Sequence, residues 1–137
     1  MAGGAFISYG TAVFVEPGLT ARCSMVVSDQ DTAIAVNSGE VPVLATPRLL
    51  ALCEQTACTA LAEKLGPGKT SVGAGVQFDH LVPVRVGSTV SAEATLDKVE
   101  GRRLVFTVTA TDHAGLVGAG RMTRVIVDRE GFLAKAR

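Results

Sequence analysis

The sequence predicts an α+β domain in which one antiparallel sheet wraps around a single long helix. The stretch TPRLLALCEQTACTALAEKL is rich in Ala and Leu and has apolar residues on nearly every side, which is typical of a helix enclosed by its own domain. From Thr70 onward, apolar and polar residues alternate with the period of two that indicates strands. With 137 residues, 47% of them hydrophobic, the chain suits one core and is too short for two. We therefore expect a single domain over 1–137.

Two extended segments and a loop are expected first. The segments lie between about Thr11 and Ser28, and Pro17-Gly18 separates them because both residues interrupt regular strand pairing. The polar, small-residue stretch SDQDTAIAVNSGE then predicts a loop or lid. Loops of this length in a small domain are often functional.

The helix is expected next, from about Pro47 to Leu65. Thr46 is the predicted N-cap, because its hydroxyl can accept a backbone amide hydrogen bond, and Pro47 suits the first helical position. Gly66 and Pro67 are expected to end the helix.

About four long strands should follow the helix. Glu100-Gly101 predicts one tight turn and the DHAG tetrapeptide another, so the three final strands should form an antiparallel meander. A sheet curled around the helix would cover both the apolar helix and the apolar side of these strands.

Composition excludes several classes of partner. The formal net charge is +0, and no basic stripe or aromatic platform indicates nucleic acid. The three cysteines show no metal-ligand spacing, which favours reduced thiols in a cytoplasmic protein and predicts no metal site. No segment resembles a signal peptide or a membrane span, so no membrane partner is expected. The mean hydropathy of +0.35 is high for a monomer of this size and predicts self-association.

Glu54 is the unusual residue of the predicted helix. At about 100° per residue it falls within an arc that also contains Leu50, Leu61 and Leu65. Burying a carboxylate is costly, so this arc either faces water or a neighbouring basic residue, or gives Glu54 a function. The two interpretations are about equally favoured for a lone glutamate in the middle of a helix.

His80 is the candidate partner of Glu54. Strand alternation places Val76, Phe78 and His80 on one apolar face, which should pack on the helix, and Gly73 on the other. A histidine on such a face is more often a core residue than a catalyst, but a nearby glutamate could orient it for proton transfer. Thr46 is the third candidate, although it lies eight residues from Glu54, about 12 Å along a helix axis.

Two further features have a structural and a functional interpretation. Gly73 and Gly75 indicate a strand bulge or, less strongly, close passage of a ligand. Arg102 and Arg103 at the predicted hairpin tip are typical of a solvated turn, although they could also contact phosphates. No HExxH, GxSxG, P-loop or Rossmann motif is present, which argues against those enzyme classes.

Three stretches together resemble the hotdog-fold acyl-CoA thioesterases of the fluoroacetyl-CoA-thioesterase-like family: ATPRLLALCEQTA, VGAGVQFDHLVPVRVGSTV and EGRRLVFTVTATD. The resemblance extends from about Thr11 to Phe132. It implies a hotdog fold, a homodimer, and a catalytic set of Thr46, Glu54 and His80. The acyl group would enter between protomers, and coenzyme A would be part of the substrate, with no separate cofactor. The substrate contacts assigned with it are Gly73, Asn37, Ser38, Arg102, Arg103 and Arg124.

One departure from the family bears on the substrate. The stretch TAIAVNSGEVPVL contains no aromatic residue, whereas a fluoroacetate-specific enzyme of this type has phenylalanines there. We therefore do not expect a fluorinated substrate for this chain.

The sequence thus predicts hydrolysis of an acyl-CoA or a related acyl thioester. Glu54 would activate water or attack the carbonyl, His80 would transfer protons, and Thr46 would orient the Glu or the carbonyl. The Gly73 amide or the helix N-terminus would hold the oxyanion. Two alternatives stay open: hydration of an enoyl-CoA, although Asp79 should point away from His80, and non-catalytic binding of acyl-CoA.

Overall fold

From Ala12 to Asp128 the strands and the long helix follow the predicted order, whereas a strand at Ala5–Ser8 and a short helix at Arg129–Leu133 were not predicted. A computed structural model describes the backbone of residues 5–8 and 12–137, and side chains from Val15 onward. The strands are β1 (Ala5–Ser8), β2 (Ala12–Val15), β3 (Thr20–Val26), β4 (Lys69–His80), β5 (Thr89–Glu100), β6 (Arg103–Asp112) and β7 (Gly115–Asp128). The α-helices are α1 (Thr46–Ala60) and α2 (Arg129–Leu133), and a short 3-10 helix spans Asp29–Asp31.

A five-stranded antiparallel sheet in the order β3-β5-β6-β7-β4 packs on α1. Strands β5, β6 and β7 form the predicted meander, and Gly101 in the first turn has a φ of 63°, a conformation that glycine adopts without strain. β1 and β2 pair in a separate two-stranded sheet. The expected α+β class, with one sheet against one long helix, is confirmed.

The core lies between α1 and the sheet. The buried helix residues are Leu49, Leu52, Cys53, Thr56, Ala57 and Ala60. They face buried side chains of the central strands, among them Val90, Leu96, Phe106 and Val108. Burial raises the pKa of the Cys53 thiol to about 11, so this thiol stays protonated and unreactive at neutral pH.

The predicted start of the helix is correct to one residue, but the predicted cap and the predicted end are wrong. Ala45 is the N-cap, and Thr46 is already helical and makes no capping hydrogen bond. The helix ends at Ala60, before the predicted Leu65, because the amide of Ala62 bonds back to the Thr59 carbonyl in a tighter turn. Glu63 then adopts a φ of 61°, which takes the chain out of the helical direction.

The helix is also less enclosed than expected. Ala51, Glu54, Gln55 and Cys58 are exposed, because the sheet covers α1 from one side only. The carboxylate of Glu54 therefore lies on the flank of the helix that the single chain leaves open.

Strand β4 is an edge of the five-stranded sheet and contains a bulge. Gly73 pairs with Arg124 and Gly75 pairs with Thr123, so Ala74 is one extra residue in the ladder. The bulge interpretation of the two glycines is thereby confirmed. It also corrects the predicted face of Gly73: directly paired residues share a face, so Gly73 lies on the helix-facing side, as do Val76 and His80.

Candidate active site

Thr46 and His80 form one half of the candidate site. The Oγ1 atom of Thr46 lies 2.8 Å from Nδ1 of His80, which joins the first residue of α1 to the last residue of β4. The other ring nitrogen, Nε2, is buried and has no hydrogen-bond partner within the part of the chain that the structure describes. A buried polar atom without a partner is costly, so this nitrogen calls for an explanation beyond packing.

A cavity of about 310 Å³ adjoins this pair. Its walls come from the loop that follows β3 and from residues 81–83, immediately after β4. Besides Thr46 and His80, it is lined by Ala33, Ser38, Gly39, Val41, Val43, Leu44, Leu81, Val82 and Pro83. Most of this lining is aliphatic.

Glu54, Arg124 and Ser71 form the other half. The guanidinium of Arg124 donates from Nη1 to Oε2 of Glu54 at 3.1 Å, from Nε to Oγ of Ser71 at 2.9 Å, and from Nη2 to the Ser71 carbonyl at 3.0 Å. The Arg124 side chain is 8% exposed and that of Glu54 is 51% exposed. A buried, fixed cation therefore holds a carboxylate that reaches towards solvent.

Gly73 lies against this carboxylate. A Cβ atom at position 73 would be only 2.6 Å from Oε2 of Glu54, so the glycine leaves the space that the carboxylate occupies. A cavity of about 200 Å³ opens here. Its lining includes Leu50, Val76, Met122 and Thr123 as well as Glu54, Gly73 and Arg124.

Within one chain the two halves are separate. Thr46 and His80 line one cavity, and Glu54 and Gly73 line the other. The described hydrogen bonds pair Thr46 with His80 and Glu54 with Arg124. Gly73 and His80 lie near opposite ends of β4, about 20 Å apart at the usual rise of a strand.

The other predicted substrate-contact residues lie at the cavity beside His80 or at the β5–β6 turn. Ser38 lines the larger cavity, and Asn37 precedes it with a φ of 60°, a conformation that asparagine tolerates well. Arg102 and Arg103 are exposed at the β5–β6 turn. Arg103 pairs with Val125 of β7, which places it two strand spacings, about 10 Å, from the Gly73 end of β4.

An ion pair links the loop that follows β3 to the helix. Nε of Arg48 donates to Oδ1 of Asp31 at 2.9 Å, and Oδ2 of Asp31 accepts from the amide and hydroxyl of Ser28. Partial burial by itself would raise the pKa of Asp31, but the bonds from Ser28 and Arg48 outweigh it and lower the pKa below its ordinary 3.8. The loop that follows β3 is thus anchored two residues from Thr46.

Sequence reasoning missed two contacts that shape the site. Arg124 is in phase with the buried Met122 and Ile126, so alternation along β7 could have marked it as a buried cation in need of a carboxylate. No pattern in the sequence indicated that Ser71 contacts Arg124, because the two residues lie on different strands and 53 positions apart.

An antiparallel sheet on one long helix, with a hydroxyl, an imidazole and a carboxylate near its edge strand, is the architecture of hotdog thioesterases. Comparison with known proteins agrees. A model of the family described as fluoroacetyl-CoA-specific thioesterase matches residues 27–130. A fluoroacetyl-CoA thioesterase of Streptantibioticus cattleyicolor is 37% identical over 95 residues, which cover 69% of this chain and 68% of the relative.

Solved structures give the same result. A variant of the fluoroacetyl-CoA-specific thioesterase in complex with fluoroacetate and CoA is 29% identical, with a TM-score of 0.81 over 86% of this chain and 99% of that one. A hot-dog-like protein from Thermanaerovibrio acidaminovorans is 31% identical, with a TM-score of 0.81 over 87% and 88% of the two chains. The chain belongs to the fluoroacetyl-CoA-specific thioesterase family. The expected hotdog fold and the expected class, a thioester hydrolase, are both confirmed.

The described residues include neither a membrane-spanning helix nor a metal-binding cluster. None of the described helices has the length and apolar character that crossing a membrane requires. Among the same residues, no group of three or more His, Cys, Asp or Glu side chains is arranged to hold a metal ion.

Proposed function

We propose that this chain hydrolyses acyl-CoA or related acyl thioesters to a free acid and a thiol, as a homodimer that assembles each site from two copies. The observation that carries this proposal is the distribution of chemistry along β4. The imidazole lies at one end of this edge strand, the carboxylate lies near the other, and the edge between them has no partner strand among the described residues.

Pairing of the β4 edges of two copies would bring the Thr46–His80 pair of one copy next to the Glu54 cluster of the other. In an antiparallel pair related by a two-fold axis, residues face each other when their numbers have a constant sum. An axis between Val76 and Gln77 sets Gly73 of one copy opposite His80 of the other. The exposed stretch of β4, residues 73–77, is centred close to this axis. Glu54 of one copy would then adjoin Thr46 and His80 of its partner.

The expected chemistry follows from these groups. Glu54, held by Arg124, activates a water molecule or attacks the thioester carbonyl. His80, oriented by Thr46 through Nδ1, transfers a proton to the departing thiolate. The backbone amide of Gly73, which lies beside the Glu54 carboxylate, would donate to the oxyanion.

The remaining assignments extend this proposal. Arg102 and Arg103 contact the phosphates of coenzyme A, Asn37 and Ser38 contact the acyl end, and Arg124 contributes by fixing Glu54. Coenzyme A arrives as part of the substrate, and no other cofactor is assigned. Unpaired cysteines at positions 23, 53 and 58 support a cytoplasmic location for the domain, 1–137.

A heterodimer test examines the composite site. Glu54→Gln and His80→Ala copies carrying different tags are co-expressed, and the mixed dimer is isolated through both tags. If the halves come from two copies, one of the two sites in the mixed dimer keeps both residues, so about half of wild-type CoA release is expected, whereas each variant alone is inactive.

Other outcomes would contradict this proposal. An inactive mixed dimer shows that each site lies within one copy. A monomer by light scattering at assay concentration removes the composite site altogether. If the Glu54→Gln variant, the His80→Ala variant and the mixed dimer all release CoA at equal rates, neither Glu54 nor His80 takes part in hydrolysis.

A further inference from the structure

Ser71 holds the guanidinium of Arg124 at two points. Its Oγ accepts from Nε at 2.9 Å, and its carbonyl accepts from Nη2 at 3.0 Å. A guanidinium is planar and its N–H bonds have fixed directions, so two contacts from one residue fix the plane of the group. The remaining nitrogen, Nη1, then points at Oε2 of Glu54, 3.1 Å away.

The register of the sheet places Ser71 beside the ion pair. Gly73 pairs directly with Arg124 and Ser71 pairs with Ile126, so Ser71 is the diagonal neighbour of Arg124 on the same face. A Cβ atom at position 73 would be 2.6 Å from Oε2 of Glu54 and 3.6 Å from Nη1 of Arg124, so the ion pair lies over the glycine. Ser71 therefore supports the ion pair from the arginine side, and no described hydrogen bond joins it to Glu54.

Glu54 depends on this support because little else holds its carboxylate. The side chain is 51% exposed, and the bond from Arg124 is its one described hydrogen bond. An exposed ion pair stabilises little when two flexible side chains must be ordered to form it. Here the cation is already fixed and buried, so only the Glu54 side chain has to be ordered.

We propose that Ser71 is a positioning residue for hydrolysis: it fixes Arg124, and the fixed Arg124 holds the Glu54 carboxylate where it acts. This role rests on the proposed function for the part that Glu54 plays. Ser71 is not among the residues that line the cavity of about 200 Å³ at Glu54. It therefore acts through Arg124 and makes no contact with the reacting atoms.

Ser71→Ala tests this role through the separate effects on kcat and KM. The carbonyl bond to Nη2 remains, so the guanidinium can turn about that contact and Nη1 loses its fixed direction. In acyl-CoA hydrolysis well below the melting temperature, kcat should fall about tenfold and KM should change by less than about twofold, because a small misplacement of a reacting group is costly. Ser71→Thr keeps the hydroxyl and should recover most of kcat.

Two controls separate positioning from stability. Thr70→Ala removes a hydroxyl from the opposite face of β4, where Thr70 pairs with Val127. Val90→Ala leaves a space in the core at β5, which β6 and β7 separate from β4, and should lower the urea midpoint. Both variants should keep the wild-type kcat. If Ser71→Ala also keeps it, or if Val90→Ala loses as much kcat, Ser71 contributes only to stability and the proposal is wrong.

An NMR measurement follows the arginine without any turnover. The Nε–H resonance of Arg124 is identified by its absence in Arg124→Lys. It should exchange slowly with water in the wild type and in Ser71→Thr, and much faster in Ser71→Ala. Equal exchange in all three proteins would show that other groups hold Arg124, and would overturn the proposal.

Failure of this role differs from failure of the proposed function. A wild type that hydrolyses no acyl-CoA removes the proposed function, and with it the catalytic role of Ser71, even where the exchange rates show that Ser71 holds Arg124. An active wild type with an equally active Ser71→Ala variant keeps the function and removes only the positioning role.

Discussion

The two ends of β4 carry different chemistry. Near Gly73, a buried arginine with three hydrogen bonds holds the carboxylate of Glu54. At His80, one hydrogen bond to Thr46 orients the imidazole, and the surroundings are neutral and mostly aliphatic. One end holds a fixed ion pair, and the cavity at the other end is lined by no Asp, Glu, Lys or Arg side chain. In the proposed dimer, β4 brings the Glu54 end of one copy next to the His80 end of the other.

The largest expected effect comes from removing the reactive group at either end. Glu54→Gln and His80→Asn should each lower kcat for acyl-CoA hydrolysis about a hundredfold to ten-thousandfold, because each removes a proton-transfer or nucleophilic group. Thiol release gives the rates. Glu63→Gln and His113→Asn are the controls, since both residues are exposed and line neither cavity. A loss in the controls equal to that in the test variants would contradict the assignment.

A methyl group at Gly73 should affect activity more than stability. Its Cβ would be 2.6 Å from Oε2 of Glu54, whose flexible end can move away, so Gly73→Ala should displace the carboxylate and lower kcat by about tenfold to a hundredfold. Gly75→Ala is the control, because a Cβ there meets nothing within 4 Å in the chain. Steady-state rates and thermal melts of both variants separate the two effects. Equal kcat values would show that the position of Glu54 is unimportant.

Removing one hydrogen bond of Arg124 should lower the free energy of unfolding moderately. Ser71→Ala removes the hydroxyl that accepts from Nε, and hydrogen bonds to charged groups contribute about 1.5–3 kcal/mol, so urea unfolding should show a loss of this order. Ser71→Thr keeps a hydroxyl and should recover part of the loss. Ser91→Ala, which removes a bond between exposed hydroxyls, should cost less. If Ser71→Ala is as stable as Ser91→Ala, Arg124 does not depend on this anchor.

The smallest effect concerns Asp31, in the loop that follows β3. The folded pKa of Asp31 lies below its ordinary value, so its carboxylate contributes stability above about pH 4, and this contribution is lost as the pH falls through the lowered folded pKa. Asp31→Asn should therefore cost about 1 kcal/mol at neutral pH and show less decline in acid. Urea midpoints measured from pH 7 down to about pH 3 compare the two proteins. Parallel curves would contradict this role for Asp31.

Most of the fold could be predicted because its signals are local. Alternation identified the long strands, and Glu100-Gly101 and the DHAG tetrapeptide marked two turns correctly. The helix end was missed because Glu63, a residue that rarely adopts a positive φ, makes the turn that glycine was expected to make.

The site was harder to predict because it depends on pairing between distant segments. Regular alternation sets Gly73 and His80 on opposite faces, and the one extra residue at Ala74 brings them to the same side. Periodicity identified Glu54 and His80 as unusual, but it could not show that Glu54 contacts Arg124 or that His80 contacts Thr46. These contacts follow from strand register and helix position, which composition does not encode.

If two copies pair along β4, as proposed, this edge offers a way to inhibit the protein without an active-site ligand. Its backbone amides and carbonyls can be capped by any extended peptide that adds to the sheet as another strand. Such a peptide, chosen to match residues 73–77, would compete with the second copy for the same ladder. It would prevent hydrolysis by keeping Glu54 of one copy away from the Thr46–His80 pair of the other.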